Sequence, residues 1–424
     1  MSQFRRVLAL LVFAPAGLFA QDPDSLAQRV ETLERLVGIL QTQVAEQADG
    51  GVQTGSGGFV QLSGIVLLNA FTNNGNPFLD DVPQFVEAPA LPGQLPSSGA
   101  SAVVRQTRLT LTTEMDDVLG ARFSGELDID FFGGQHPSSG GRTFPNLRVR
   151  RTRMDLRWSH VAVMVGQEAP PILELNPSSF AAMGFPGFSG SGNLWLWLPQ
   201  VRVRVEGGQR LRLGLEAAAL APSAGSKQIE QFYTKPDQAE RSRRPFLQGR
   251  AIVGWGGEET RSEVSVGGHY GWFAAPNDRF LISKAAAAQV HLFLTRYVEL
   301  RGEGFTGQGL RSLGGGGVYQ NFGSNGVMLR SRGGWGQLNL RPSDEWEIGG
   351  GAGIDDPKDA DFDPADFTAS FGRLRNLSYE GHIHWRPAPL VFGIEFRRLE
   401  TTWGALALGK LTNNHINVAA GFEF

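Results

Sequence analysis

The chain has 424 residues, a formal charge of -3, 41% hydrophobic content, 56 glycines and no cysteine. The missing cysteines exclude disulfides, thiolate nucleophiles and cysteine-ligated metals, and a charge this close to zero points neither to nucleic acid nor to a membrane-surface binder. The length suits two or three soluble domains or a single large barrel, in which each strand and its connection take roughly 20 to 25 residues.

Residues 1–20 read as a signal peptide: Arg5 and Arg6 precede an apolar run from Val7 to Phe19, and Ala20 offers a small residue for cleavage. No later segment supplies about 18 uninterrupted apolar residues, so no transmembrane helix is predicted. An exported chain without a helical anchor that alternates apolar and polar residues has a closed barrel as its route into a bilayer. In residues 21–49, Leu26, Val30, Leu33, Val37, Leu40 and Val44 occupy the a and d positions of a heptad repeat. That spacing predicts a periplasmic α-helical coiled coil. A helix of this length is marginal alone, so it implies partners, most simply the same helix of other protomers; packing against the barrel rim is the alternative. Residues 50–58, rich in Gly, Ser and Thr, read as a flexible linker.

From residue 59 to 424, sixteen segments of period two predict an all-β, sixteen-stranded antiparallel transmembrane barrel. Their connections alternate: seven short ones, such as Asp116 to Val118, Gly207 to Gln209 and Pro387 to Ala388, and eight long ones. The long ones are Thr72 to Ser101, Gly133 to Asn146, Glu168 to Pro199, Ala221 to Pro245, Ala274 to Ala285, Thr306 to Gly326, Asp356 to Asn376 and Trp403 to Asn413. Short periplasmic turns and long external loops are the asymmetry of a bacterial outer-membrane barrel. The last segment carries Ile416, Val418, Ala420, Phe422 and Phe424 on one face, which predicts lipid on that side. Terminal Phe424 is the residue expected to engage the barrel-assembly machinery.

Charge on the strands sets the expected chemistry. Arg122 shares a face with Ser124, Glu126, Asp128 and Asp130 in the segment Leu119 to Phe131, and Arg202, Arg204, Arg210 and Arg212 flank a Gly207-Gly208-Gln209 turn. Lipid rejects arginine at the midplane by about 2 to 4 kcal/mol, so that face is the lumen. Arg108, Arg122, Arg148, Arg150, Arg153, Arg157, Arg202, Arg204, Arg210 and Arg212 then form one wall, with a bulge expected between Arg150 and Arg151 to keep the phase. A planar guanidinium pairs with carboxylate or phosphate and stays charged at every relevant pH. The wall is thus either an anion-guiding field or a set of partners for Glu126, Asp128, Asp130, Asp155, Glu206 and Glu216.

These residues resemble the DcaP-like trimeric porins. The resemblance rests on the heptad, on Thr107-Arg108-Leu109, Leu119-Gly120 and Asp130-Phe131-Phe132-Gly133, on Leu147-Arg148-Val149-Arg150, on Val165-Gly166-Gln167 and on Pro199-Gln200-Val201-Arg202, within residues 24 to 215. It implies a homotrimer in the outer membrane, among lipid and lipopolysaccharide, that passes small anionic solutes, dicarboxylates among them. The stretch Glu168-Ala169-Pro170-Pro171 departs from the family pattern.

The 32-residue connection Glu168 to Pro199 contains Phe180, Met183, Phe185, Phe188, Trp195 and Trp197. A loop this long is functional or disordered, and its apolar content argues for order, so it is expected to fold into the lumen and set the pore width. Glu168 and Glu174 should then face the arginines and divide the constriction into oppositely charged sides. Asp359, Asp361 and Asp363 can hold a divalent cation or form a plain solvated loop. His382 and His384 share an inward face near Glu380, where they can ligate metal or simply supply polarity; polarity is the favoured reading, and no cofactor is assigned. The chain lacks G-x-S-x-G, H-E-x-x-H and Walker motifs, and no enzymatic role is expected. The competing function is a structural or adhesive barrel with a plugged lumen.

Overall fold

The computed structural model describes residues 52–53, 58–90, 95, 98–134, 144–225, 235–257, 259–405 and 407–424. The signal peptide, the heptad helix from Leu26 to Val44 and most of the linker lie outside the described residues. One sheet contains eighteen strand segments. Two of them are minor: Val52–Gln53, and Gly99–Val103, which pairs with the outer part of the first long strand. The other sixteen close a ring in which each strand pairs antiparallel with the next in sequence.

In chain order the strands are β1 (Phe59–Asn73), β2 (Arg108–Val118), β3 (Ala121–Asp130), β4 (Arg148–Arg157), β5 (Val161–Glu168), β6 (Leu198–Gly207), β7 (Leu211–Leu220) and β8 (Phe246–Trp255). They continue as β9 (Ser262–Ala275), β10 (Arg279–Thr295), β11 (Val298–Gln308), β12 (Arg330–Leu340), β13 (Trp346–Pro357), β14 (Arg373–Trp385), β15 (Leu390–Trp403) and β16 (Lys410–Glu423). The ring closes where β16 pairs with β1, from His415 opposite Asn73 to Glu423 opposite Ile65. Phe424 extends that seam by exchanging backbone bonds of 2.9 and 3.1 Å with Gly64. Full closure leaves no strand edge unpaired in hydrocarbon.

Burial alternates as the sequence pattern demands. On β16, Asn417 and Ala419 are buried while Ile416, Val418 and Phe422 face out. On β6 and β7, Arg202, Glu216 and Ala218 are buried and Val201, Val203, Leu213 and Leu215 are exposed. A water-soluble sheet with this parity would turn its leucines and valines inward. Here they point outward, and the polar face is the inner one.

Three boundaries differ from the sequence reading. Ala274 to Ala285 is not a long loop: β9 and β10 run on and meet at Pro276, Asn277 and Asp278, with Asn277 and Asp278 at φ 60° and 55°. Two adjacent residues of positive φ make the tight turn that hairpins favour, and Asn and Asp tolerate it. Leu119 belongs to the β2–β3 turn rather than to a strand, at φ 56° and 81% exposed. Arg210 also lies in a turn, ahead of β7.

The expected irregularity in β4 is present. Asp128 pairs with Arg151 but Ile129 with Val149, so Arg150 is the extra residue of a bulge. Without that slip, either Val149 or Arg151 would face the wrong medium.

Candidate functional site

The connection 169–197 carries no regular strand, so its backbone groups need partners from elsewhere. They find them on the inner wall, strand after strand. Ile172 N–H donates to Gln248 Oε1 on β8 (3.3 Å), Glu174 N–H to Gln289 Oε1 on β10 (3.0 Å) and Leu175 N–H to Glu303 Oε1 on β11 (2.7 Å). Ser178 N–H donates to Gln337 Oε1 on β12 (2.7 Å), the Ser178 hydroxyl to Glu347 on β13, and Ala181 N–H to Glu395 Oε1 on β15 (3.1 Å). Asn69 on β1 donates to Phe180 O (3.1 Å), and Gln106, just before β2, accepts from Met183 N–H (3.0 Å) and Gly184 N–H (2.9 Å). On β4, Arg150 reaches Met183 O (3.0 Å) and Arg148 reaches Gly184 O (2.6 Å). The loop therefore tracks around the inside of the barrel as a collar. Several of its anchors are charged, and hydrogen bonds to charged groups contribute about 1.5 to 3 kcal/mol each.

The second half of the loop also stays on the wall. Phe188 stacks on Trp335 of β12 at 5.6 Å, and Asn376 of β14 donates to Gly190 O and Ser191 Oγ at 2.9 and 2.8 Å. Two further connections turn inward, which the sequence reading missed. Arg397 donates to Pro83 O (3.0 Å) and Thr401 accepts from Val86 N–H (2.8 Å) in the first long connection. Val318 N–H donates to Asp355 (3.0 Å) in the connection after β11. Its Leu310 and Leu313 pack with Leu194 and Ile172 in a buried apolar seam.

The arginines fall into three groups. In the first, Arg108 pairs with Asp128 (2.8 Å), Arg148 with Asp130 (2.6 Å), and Arg150 with both (3.2 Å each). Arg153 pairs with Glu126 (3.4 Å), Asp155 (3.4 Å) and Glu168 (3.1 Å). Arg151, unassigned from sequence, joins Glu126, Asp128 and Glu168. In the second, Arg202 pairs with Glu174 and Glu216, as does buried Arg250, another residue the sequence reading missed. Burial pushes the Glu174 carboxyl up, but Arg250 and Arg202 outweigh it and hold the group below the usual carboxylate range. The third group lies toward the short turns. Arg204 and Arg261 share Glu206, exposed Arg122 pairs with Glu114, and Arg157, Arg210 and Arg212 have no ion pair among the described residues. Arg212 keeps Nε and Nη2 buried without a hydrogen-bond partner among the described residues.

Glu168 and Glu174 thus meet the arginine wall directly and neutralise it locally, instead of forming an opposite side. The opposite side belongs to residues that the sequence reading did not assign to the constriction. Glu299 and Glu303 on β11, Glu347 and Asp355 on β13, Glu380 on β14 and Glu395 on β15 face inward, against Arg301, Arg341 and Arg397. In a sixteen-membered ring β13 lies across from β5, so an acid-rich arc faces an arginine-rich arc. Their signal in the sequence is parity: Glu299, Arg301 and Glu303 alternate with apolar or glycine positions, as do Glu395 and Arg397. Among the other candidates, Asp361 is engaged by Arg330 at 2.9 Å and Asp363 caps Ala365 N–H at 3.0 Å. The carboxylate beside His382 and His384 is Glu347, because Glu380 pairs with Arg397 at 2.9 Å.

A closed sixteen-stranded ring, apolar outside and polar inside, with its long third connection pinned within, is the porin barrel. The solved structures agree. The outer membrane channel DcaP of Acinetobacter baumannii superposes with a TM-score of 0.67 at 17% identity, over 88% of this chain and all of that one. An anion-selective porin from Comamonas acidovorans matches at 0.52 and 14% identity over 87% of this chain and all of that one. OprB of Pseudomonas putida matches at 0.53 and 10% identity, covering 90% and 96%. These neighbours are porins and channels. No protein-family model matches the sequence, and no curated protein is significantly similar to it.

Proposed function

We propose that the chain is an outer-membrane porin for passive diffusion of small hydrophilic solutes, preferring anions of the dicarboxylate class. The observation that carries this reading is the collar: a loop bound to wall side chains around the ring narrows the polar interior of the barrel and would give a pore there a fixed width. Anion preference draws support from the third arginine group. Among the described residues, Arg157, Arg210 and Arg212 have no paired acid, and Arg204 with Arg261 share one. Positive charge in a low-dielectric tube raises the local anion concentration. The solved neighbour described as anion-selective has the same fold.

The decisive measurement is the reversal potential across a planar bilayer in a salt gradient. Anion preference is the expected result, and a clear cation preference defeats that part of the proposal while leaving the barrel intact. A plugged structural or adhesive barrel is the second reading, favoured by the dry seam of Leu194, Leu310 and Leu313 between two inward loops. Measurable open-channel current decides between them. The assembly we propose is a homotrimer among outer-membrane lipid and lipopolysaccharide, with residues 21–49 as a periplasmic coiled coil and Phe424 as the contact for the assembly machinery. Deleting residues 24–49 should preserve current and weaken the oligomer on native gels; an unchanged oligomer would show that barrel contacts suffice.

A further inference from the structure

Beneath Ser178 of the collar, β13 and β14 bring together three metal-ligating side chains, Glu347, His382 and His384, each buried. Glu347 Oε1 lies 3.2 Å from His382 Nε2 and 3.5 Å from His384 Nδ1, and the three ligand atoms all fall within 4.8 Å of one another. A tetrahedral zinc centre with metal–ligand bonds of about 2.0 to 2.1 Å has ligand–ligand edges of roughly 3.3 Å. The two shortest separations match that edge.

The surroundings are those of a metal site as well. His384 Nε2 lies 3.0 Å from Glu395 Oε1. When Nε2 donates that bond, the ring presents the lone pair of Nδ1 to Glu347. Nδ1 is buried and makes no hydrogen bond among the described residues. A lone pair and a carboxylate oxygen repel unless a proton or a metal ion sits between them, and a metal ion there also meets His382 Nε2. The carboxylate–histidine pairing is also the usual outer support of a ligating imidazole. Arg341 Nε holds the other oxygen of Glu347 at 2.7 Å, which orients Oε1 toward the histidines. The hydroxyl of Ser178 donates to Glu347 Oε1 and so borders the cluster. Gly349 leaves the space for this packing, since a Cβ there would sit 2.4 Å from His382 Cε1.

We infer that Glu347, His382 and His384 form a binding site for one divalent d-block cation of the zinc class on the lumen wall. Two imidazoles and a carboxylate suit Zn²⁺, Ni²⁺ or Cu²⁺ and are poorly matched to Ca²⁺ or Mg²⁺. The ion would bridge two strands of the acid-rich arc directly under the collar. Binding thus bears on how firmly Ser178 is seated. The site stands whether or not the lumen conducts.

Full-length protein, purified in detergent and stripped with a chelator, is titrated with Co²⁺. A visible d–d band of a four- or five-coordinate nitrogen–oxygen centre should saturate at one equivalent per chain and disappear on adding one equivalent of Zn²⁺. Glu347→Gln and His384→Gln should each weaken Co²⁺ binding at least about tenfold, and His160→Gln, at an exposed turn, should leave it unchanged. Zinc-edge anomalous density between Glu347 and the two histidines in the unmutated chain gives the same answer without reliance on any variant folding. Absence of the band, or an equal band in the His382→Gln/His384→Gln double variant, overturns the proposal. The cluster is then a purely structural polar contact that ties the strands of Glu347, His384 and Glu395 together.

Discussion

Replacing Glu174 with glutamine tests the link between the collar and selectivity. Glu174 bonds Arg202 on one side and Arg250 at 2.6 Å on the other, and Glu216 lies 3.5 and 3.3 Å from the same two arginines. The four groups sum to zero charge, so Glu174→Gln leaves one uncompensated positive charge. For a passing ion about 10 Å away at an effective dielectric near 20, one charge contributes about 1.7 kcal/mol. Screening over a Debye length of about 8 to 10 Å reduces this to roughly 0.6 kcal/mol, or about threefold in local anion concentration with a matching depletion of cations. In a bilayer with a salt gradient the reversal potential should move toward the anion equilibrium value. Arg202 retains Glu216, Gln200 Oε1 and Ala169 O, and Arg250 retains Glu216, so the loss of stability should stay below the roughly 3 to 5 kcal/mol typical of stranding a buried charge. It should appear in the loop before the barrel. A selectivity within measurement error of the unmutated channel would refute the reasoning, because it would place this cluster outside the ion path.

Arg212→Gln, removing a charge with no ion pair among the described residues, should lower anion preference by a similar factor in the same assay. Arg150→Gln should act mainly on stability, since Arg150 is 5% exposed and bonded to Asp128 and the collar; earlier heat-induced loss of the folded band on gels is the readout. Gly192→Ala should unseat the loop, because Gly192 sits at φ +107° with a Cβ position 2.3 Å from Gly334 O. New protease cleavage between residues 185 and 195 would report it. The depressed Glu174 group contributes stability that is complete above its unfolded value of about 4.3 and is lost as pH falls through the lower folded value. The part of the loop's protease resistance that depends on Glu174 should therefore hold from neutral pH to about 4.5 and be lost only in stronger acid; an acid profile unchanged in Glu174→Gln would refute that assignment.

Much of this architecture is legible in the sequence because membrane barrels obey a severe two-sided rule. Arg202 and Arg204 between exposed valines, and Ile416, Val418 and Phe422 opposite Asn417, leave little freedom about which face is wet. The bulge at Arg150 follows from the same parity. The acid-rich arc was harder to see, since Glu303, Glu347 and Glu380 are single charges in glycine-rich strands. The inward course of the connections around Val86 and Val318 depends on wall side chains hundreds of residues away or on the next hairpin, as with Thr401 and Asp355. Arg151 stands outside the predicted wall because it shares the parity of outward Val149, and only the slip in register at Arg150 turns it inward.

The collar's anchors have a temporal meaning. Ile172, Glu174, Leu175, Ser178 and Ala181 hold side chains 76, 115, 128, 159 and 214 residues further along the chain. A half-inserted protein has nothing yet for those amides to grasp, so the aperture takes its final calibre only after the last hairpins have arrived. Quality control is thereby built into geometry: a cylinder that never closes also never acquires a measured opening.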